Sequence, residues 1–170
     1  MSASSVGADS GATAAAKANS GADSDSDAEI DPFADQSPGP GAPRHQQRER
    51  ALSLLYEAEL KGESPLSVLE GLPVRPDAYV CTLLNGAVAT RAEADSRITA
   101  ASVGWPLDRM AVIDRLVLRL AVAELLDPDG PPMAVVIDEA VELVKTYSTD
   151  DSGSFVNGIL STIAAEVRPA

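Results

Sequence analysis

The chain has 170 residues, 45% of them hydrophobic and only 4% aromatic, and a formal net charge of −13. That length suits one domain with a tail, and the composition calls for a core of Leu, Val, Ile and Ala. No apolar run approaches the ~18 residues that would suggest a membrane-spanning helix, and MSASSVGADSGATAAAKANS lacks the basic start and apolar stretch of a secretory signal.

Residues 1–43 are rich in Ser, Ala, Gly, Asp and Pro and carry seven acids against Lys17 alone. Ile30 and Phe33 are almost their only large apolar side chains. Such a segment buries too little surface to offset its ordering entropy, so it is expected to be a disordered acidic tail. The tail either competes with an anionic partner for a basic patch elsewhere in the chain or merely solubilises it. The folded domain is expected over 44–170, where twelve Lys or Arg face nineteen acids.

From Arg44 to Lys61, Ala51, Leu52, Leu55, Tyr56 and Ala58 recur at helical spacing, and Gly62 follows a basic last turn. Ser64-Pro65 starts a short helix to about Glu70, with proline at its first position. One longer helix is expected from Asp77 to about Ala101, where Gly86 suggests close approach by a neighbour. After Trp105-Pro106, Asp108 is placed to cap a helix from Arg109 to Leu126. RMAVIDRLVLRLAVAELL is apolar around most of its circumference, as a helix in the middle of a bundle must be. The stiff turn at 127–132 leads to a helix over about 133–147, and Ser148 to Gly153 separates it from a last helix with Val156, Ile159, Leu160 and Ile163 on one face. Thr149, Asp150 and Asp151 are candidate caps for that helix. No segment alternates with period two for long enough to make a strand, so the fold class is all-α.

Catalytic chemistry has little to work with. Asp138/Glu139 and Asp150/Asp151 are paired carboxylates, but sequence neighbours on a helix do not face each other. There is no glycine-rich phosphate loop and no Ser-His-acid set. Cys81 and His45, one of each, cannot form an intrachain disulfide or fill a structural zinc site. The chain is therefore read as a non-enzyme without metal or cofactor, in a reducing, cytoplasmic setting. Binding features are richer. Arg44, His45, Arg48 and Arg50 put several donors into the first turns of the opening helix, where guanidinium forks suit phosphates and base edges. Such a cluster is equally readable as a solvated helix start. Phe155 either stacks on an unpaired base or anchors the last helix to the core.

Three stretches, RHQQRERALSLLYEAEL, DRMAVIDRLVLRLAVAELL and VVIDEAVELVKTYSTDDSGSFVNGILSTIA, resemble the NusB family over residues 44–168. The acidic extension suggests an actinobacterial-type member. The resemblance implies about seven helices in two stacked three-helix subdomains, and transcription antitermination without enzymatic activity. It implies binding of single-stranded boxA RNA in ribosomal RNA transcripts, with ribosomal protein NusE, within an elongating RNA polymerase complex. Some members form homodimers over the arginine-rich face; others are modules of RNA methyltransferases, but this chain has no cofactor-binding glycine loop. Position by position, the resemblance assigns RNA contact to Arg44, His45, Arg48, Arg119, Asp151 and Phe155, and the NusE interface to Asp114, with Glu124 on the same acidic surface. Tyr56 is expected beneath the arginine patch. Gln46 and Gln47 stand where family members can carry arginine.

Overall fold

The computed structural model describes residues 31–33, 39 and 41–170. Most of the expected disordered tail lies outside the described residues. Among those described, seven α-helices follow one another: α1 (Arg44–Lys61), α2 (Pro65–Glu70), α3 (Ala78–Ala89), α4 (Arg91–Ala101), α5 (Val112–Leu126), α6 (Met133–Tyr147) and α7 (Ser152–Val167). None of the described residues lies in a strand, and no described helix is long and apolar enough to cross a membrane.

The ends of α1 and α2 follow from local chemistry. Gly62 adopts φ 65°, a left-handed conformation that costs a glycine little, and Glu63 N–H reaches back to the Ala58 carbonyl at 3.0 Å. Ser64 accepts the Leu66 N–H in front of Pro65. Helix α5 buries residues on every side, among them Leu116, Leu118, Leu120, Val122 and Leu125. It touches α1 and α3 on one side and α4, α6 and α7 on the other, so it is the axle between two layers. A Cβ at Gly86 would stand 3.7 Å from the Ala123 methyl of α5, an ordinary contact, so the packing of α3 on α5 does not require glycine there.

Three boundaries differ from the sequence expectation. The single helix over 77–101 is broken at Thr90, whose φ of −98° and ψ of 4° leave the helical region while its hydroxyl donates to the Gly86 carbonyl at 2.8 Å. The bend turns α4 to lie along both α5 and α7. Asp108 does not cap α5. Residues Leu107–Arg109 form a short 3-10 turn, Met110 is extended and buried, and α5 starts at Val112. Burying Met110 takes precedence over capping at Asp108. Helix α7, by contrast, begins earlier than expected, at Ser152, with Gly153 buried in its first turn against the aliphatic part of Lys145. Asp151 occupies the position before it, and none of Thr149, Asp150 or Asp151 supplies a side-chain cap.

Phe33, on the tail side of the expected boundary at 43, is 5% exposed. Its ring lies 5.8 Å from that of Tyr56 and 4.6 Å from that of Tyr147. Gly41 N–H donates to the Asp77 carboxylate, and Gln47 Nε2 donates to the Ala42 carbonyl.

Candidate nucleic-acid and protein interfaces

The basic start of α1 does not project as a free comb of donors. Arg48 is buried, and its Nε and Nη2 meet the two carboxylate oxygens of Glu124 at 3.1 and 2.9 Å. Its Nη2 also donates to the Tyr79 hydroxyl at 2.9 Å, and that hydroxyl donates to Glu124. Burial works against the Arg48 charge, but the Glu124 hydrogen bond and the surrounding negative charge outweigh it, so its pKa is raised. Tyr79 is pushed well above its ordinary value, first by burial and then by its bond to Glu124. His45 Nδ1 lies 2.7 Å from Glu139 on α6, with Glu49 one turn away on the other ring nitrogen at 3.5 Å. Arg44 remains exposed, its guanidinium 3.8 Å above the centre of the Tyr79 ring. Arg44, Arg48, Tyr79 and Glu124 line a cleft of about 730 Å³ together with Asp127, Asp129 and Glu139. Among the described residues the cleft offers one presented cation, Arg44, on an aromatic platform, stacked in a way that leaves its edge donors without a partner among those residues.

The second surface is a groove of about 510 Å³ between the 105–111 segment and α7. Trp105, 53% exposed, and the half-buried Phe155 line it together with Arg109, Asp114 and Asp151. Asp114 is only 6% exposed. One of its oxygens accepts from Ser152 at 2.8 Å; the other is buried with no hydrogen-bond partner among the described residues. Burying a carboxylate oxygen unpaired is costly, and here it leaves a negative charge just beneath the groove surface.

The structure thus sorts the predicted residues into two places. Arg44, Arg48 and Glu124 line the cleft, with His45 beside it on Glu139, while Asp114, Asp151 and Phe155 meet at the groove. Arg119 joins neither: its guanidinium grips Asp95 of α4 at 2.6 and 3.0 Å. Asp114, Arg119 and Glu124 are five residues apart on one helix. Each step of five turns the side chain about 140°, so the three point in three directions. Glu124 is 6% exposed beneath Arg48 and offers no accessible acid. Tyr56 packs against Phe33, not under the arginines. Sequence reading missed Tyr79, Glu139, Trp105, Arg109 and Ser152. An exposed tryptophan beside Pro106 was the one signal that pointed to the groove. No three His, Cys, Asp or Glu among the described residues gather as a metal site.

A model described as the NusB family matches residues 45–165. The transcription antitermination protein NusB of Saccharopolyspora erythraea is 48% identical over 127 residues, covering 71% of this chain and 86% of that protein. The protein of the same description from Acidothermus cellulolyticus is 44% identical over 126 residues, covering 72% and 87%. Among solved structures, NusB of T. maritima superposes with a TM-score of 0.67 at 37% identity, over 74% of this chain and 92% of that one. A chain from a structure described as antitermination factors NusB and NusE in complex with double-stranded RNA gives 0.61 at 32% identity, over 74% and 99%.

Proposed function

The chain belongs to the NusB family of transcription antitermination proteins, which are not enzymes, and we propose that it recognises single-stranded boxA RNA of ribosomal RNA transcripts jointly with ribosomal protein NusE, helping cytoplasmic RNA polymerase resist termination. The observation that carries this reading is the groove with the unpaired Asp114 oxygen on its floor and Trp105 and Phe155 on its walls. The negative charge of Asp114 beneath the groove favours a basic ribosomal protein seated over it, and an aromatic wall is the surface on which an unpaired base stacks. Excess acid over base in residues 44–170 favours the approach of a basic protein.

The division of labour follows from the charges. Phosphate contacts set RNA affinity, and at the α1 start Arg48 and His45 are already engaged with Glu124 and Glu139. Arg44 on its Tyr79 platform is left as the phosphate donor, with Arg48 acting from beneath by fixing Tyr79. Phe155 supplies stacking, with Asp151 at the rim. Binding by the chain alone is then weak and NusE contributes the remaining affinity. The solved complex whose NusB chain resembles this one contains NusE and double-stranded RNA, which supports a joint RNA-and-protein surface. Filter binding with boxA RNA, a scrambled strand and a duplex tests the reading. Selective retention of the boxA strand in the presence of NusE is expected; equal retention of all three would overturn it.

A further inference from the structure

The segment between α4 and α5 holds an aromatic side chain and a cation out in solvent on a well-fastened backbone. Ser102 N–H donates to the Ile98 carbonyl at the end of α4, and Trp105 N–H donates to the Ser102 carbonyl at 2.8 Å. Between them Gly104 adopts φ 80°, the left-handed conformation that the third position of a type II turn requires. The buried Ser102 hydroxyl donates in turn to the Trp105 carbonyl at 3.0 Å. Four residues on, Arg109 ends the 3-10 turn, and the buried Met110 anchors the chain beyond it. Trp105 is thereby kept 53% exposed, and Arg109 is exposed as well.

Both side chains line the groove that also carries Phe155 of α7. Arg109 has no hydrogen bond or ion pair with any of the described residues. An indole left half in water adds little to the fold, whereas two aromatic side chains on one groove make a platform for an unpaired base. A guanidinium without a carboxylate partner suits a phosphate oxygen. Asp114 beneath the surface and Asp151 on the rim make the rest of the groove unfavourable to phosphate, which directs an anion to Arg109. The same unpaired cation discourages a basic protein from lying directly on it. Aromatic and cation together therefore fit a nucleotide better than a basic polypeptide. Because the backbone is already ordered, binding loses little freedom there.

We propose that Trp105 and Arg109 form a nucleotide subsite on the groove: the base of one unpaired nucleotide stacks on Trp105 beside Phe155, and a flanking phosphate lies on the Arg109 guanidinium. This rests on the proposed RNA-binding function and extends the RNA contact to residues outside α1 and α7. Trp105 is the only tryptophan of the chain, so its fluorescence reports the subsite directly. Emission is followed as NusE and then boxA RNA, a scrambled strand or a duplex is added to the full chain, with Trp105→Leu as the blank for emission from NusE. Single-stranded boxA RNA should quench Trp105 where NusE alone and the duplex do not. Trp105→Leu should bind boxA RNA about tenfold more weakly, and Trp105→Phe should recover most of that loss. Arg109→Gln should lower the salt slope by about one, with melting temperatures of all variants near the parent. Emission that responds to NusE and no further to RNA would make Trp105 a protein contact and overturn the subsite, as would an unchanged salt slope in Arg109→Gln. If boxA RNA is retained selectively while Trp105 stays silent, the subsite falls and the boxA reading stands. If the scrambled strand binds as tightly as boxA RNA and quenches Trp105 as strongly, the subsite stands and the boxA reading falls.

Discussion

Arg48→Ala distinguishes an arginine that touches RNA from one that holds up the fold. The substitution removes both nitrogens from Glu124, which is 6% exposed, and leaves the Tyr79 hydroxyl as the donor still facing that carboxylate. Stranding one charge of a buried pair costs about 3–5 kcal/mol, and the surviving Tyr79 bond argues for the lower end. In a domain of this size that is on the order of 10 °C in melting temperature. Replacing the whole network by apolar side chains, as Arg48→Met, Tyr79→Phe and Glu124→Leu together, strands no charge and should recover most of the loss. Thermal unfolding by circular dichroism measures the first quantity, and boxA RNA binding with NusE measures the second. Arg48→Ala should melt early, while the triple variant should melt near the parent and keep RNA affinity to within about threefold, or 0.7 kcal/mol. An Arg48→Ala chain that melts like the parent yet loses RNA would refute the reasoning.

Other perturbations read the remaining parts. Because the Tyr79 pKa is raised by burial and by Glu124, the folded state holds that proton more tightly than the unfolded one. Stability should therefore be unaffected below the ordinary tyrosine value near 10 and fall as pH rises beyond it. Tyr79→Phe should flatten that alkaline slope in melting experiments. Arg44→Ala should weaken RNA binding across all sequences and lower the salt slope by about one, with little change in melting temperature; an unchanged slope would remove Arg44 from the interface. Asp114→Lys should weaken NusE binding at least about tenfold by reversing a charge within the groove, as calorimetry would report, and equal NusE affinity would sink the assignment. Arg119→Ala should destabilise by about 1–3 kcal/mol through the loss of its fork on Asp95 and leave RNA affinity unchanged; a selective loss of RNA binding would restore Arg119 to the interface.

The fold was legible wherever a local rule was decisive. The 3.6-residue apolar spacing, Ser64-Pro65, Gly62 and the prolines at 131 and 132 placed α1, α2 and α6, and the all-round apolar α5 declared itself as the axle. The break at Thr90 and the start of α5 at Val112 were not legible, because each serves a contact with a distant part of the chain. Thr90 bends α4 toward α7, and Met110 is drawn into the core. The site was legible as a set of residue types but not as a geometry. Nothing within α1 announces that Glu124 and Glu139, 76 and 91 residues beyond Arg48, arrive to occupy it. The dispersal of Asp114, Arg119 and Glu124 around α5 was available from their five-residue spacing. Phe33 was hidden for the opposite reason, since its polar, acidic surroundings predict disorder and only the Tyr56 and Tyr147 rings reveal its place.

The most direct test of joint RNA recognition is the dissociation constant for boxA RNA, with and without NusE, at two salt concentrations. With most α1 donors engaged internally, the chain alone should bind weakly with a shallow salt slope, and NusE should tighten binding at least about tenfold, equivalent to 1.4 kcal/mol. Equally tight, steeply salt-dependent binding without NusE would contradict the account.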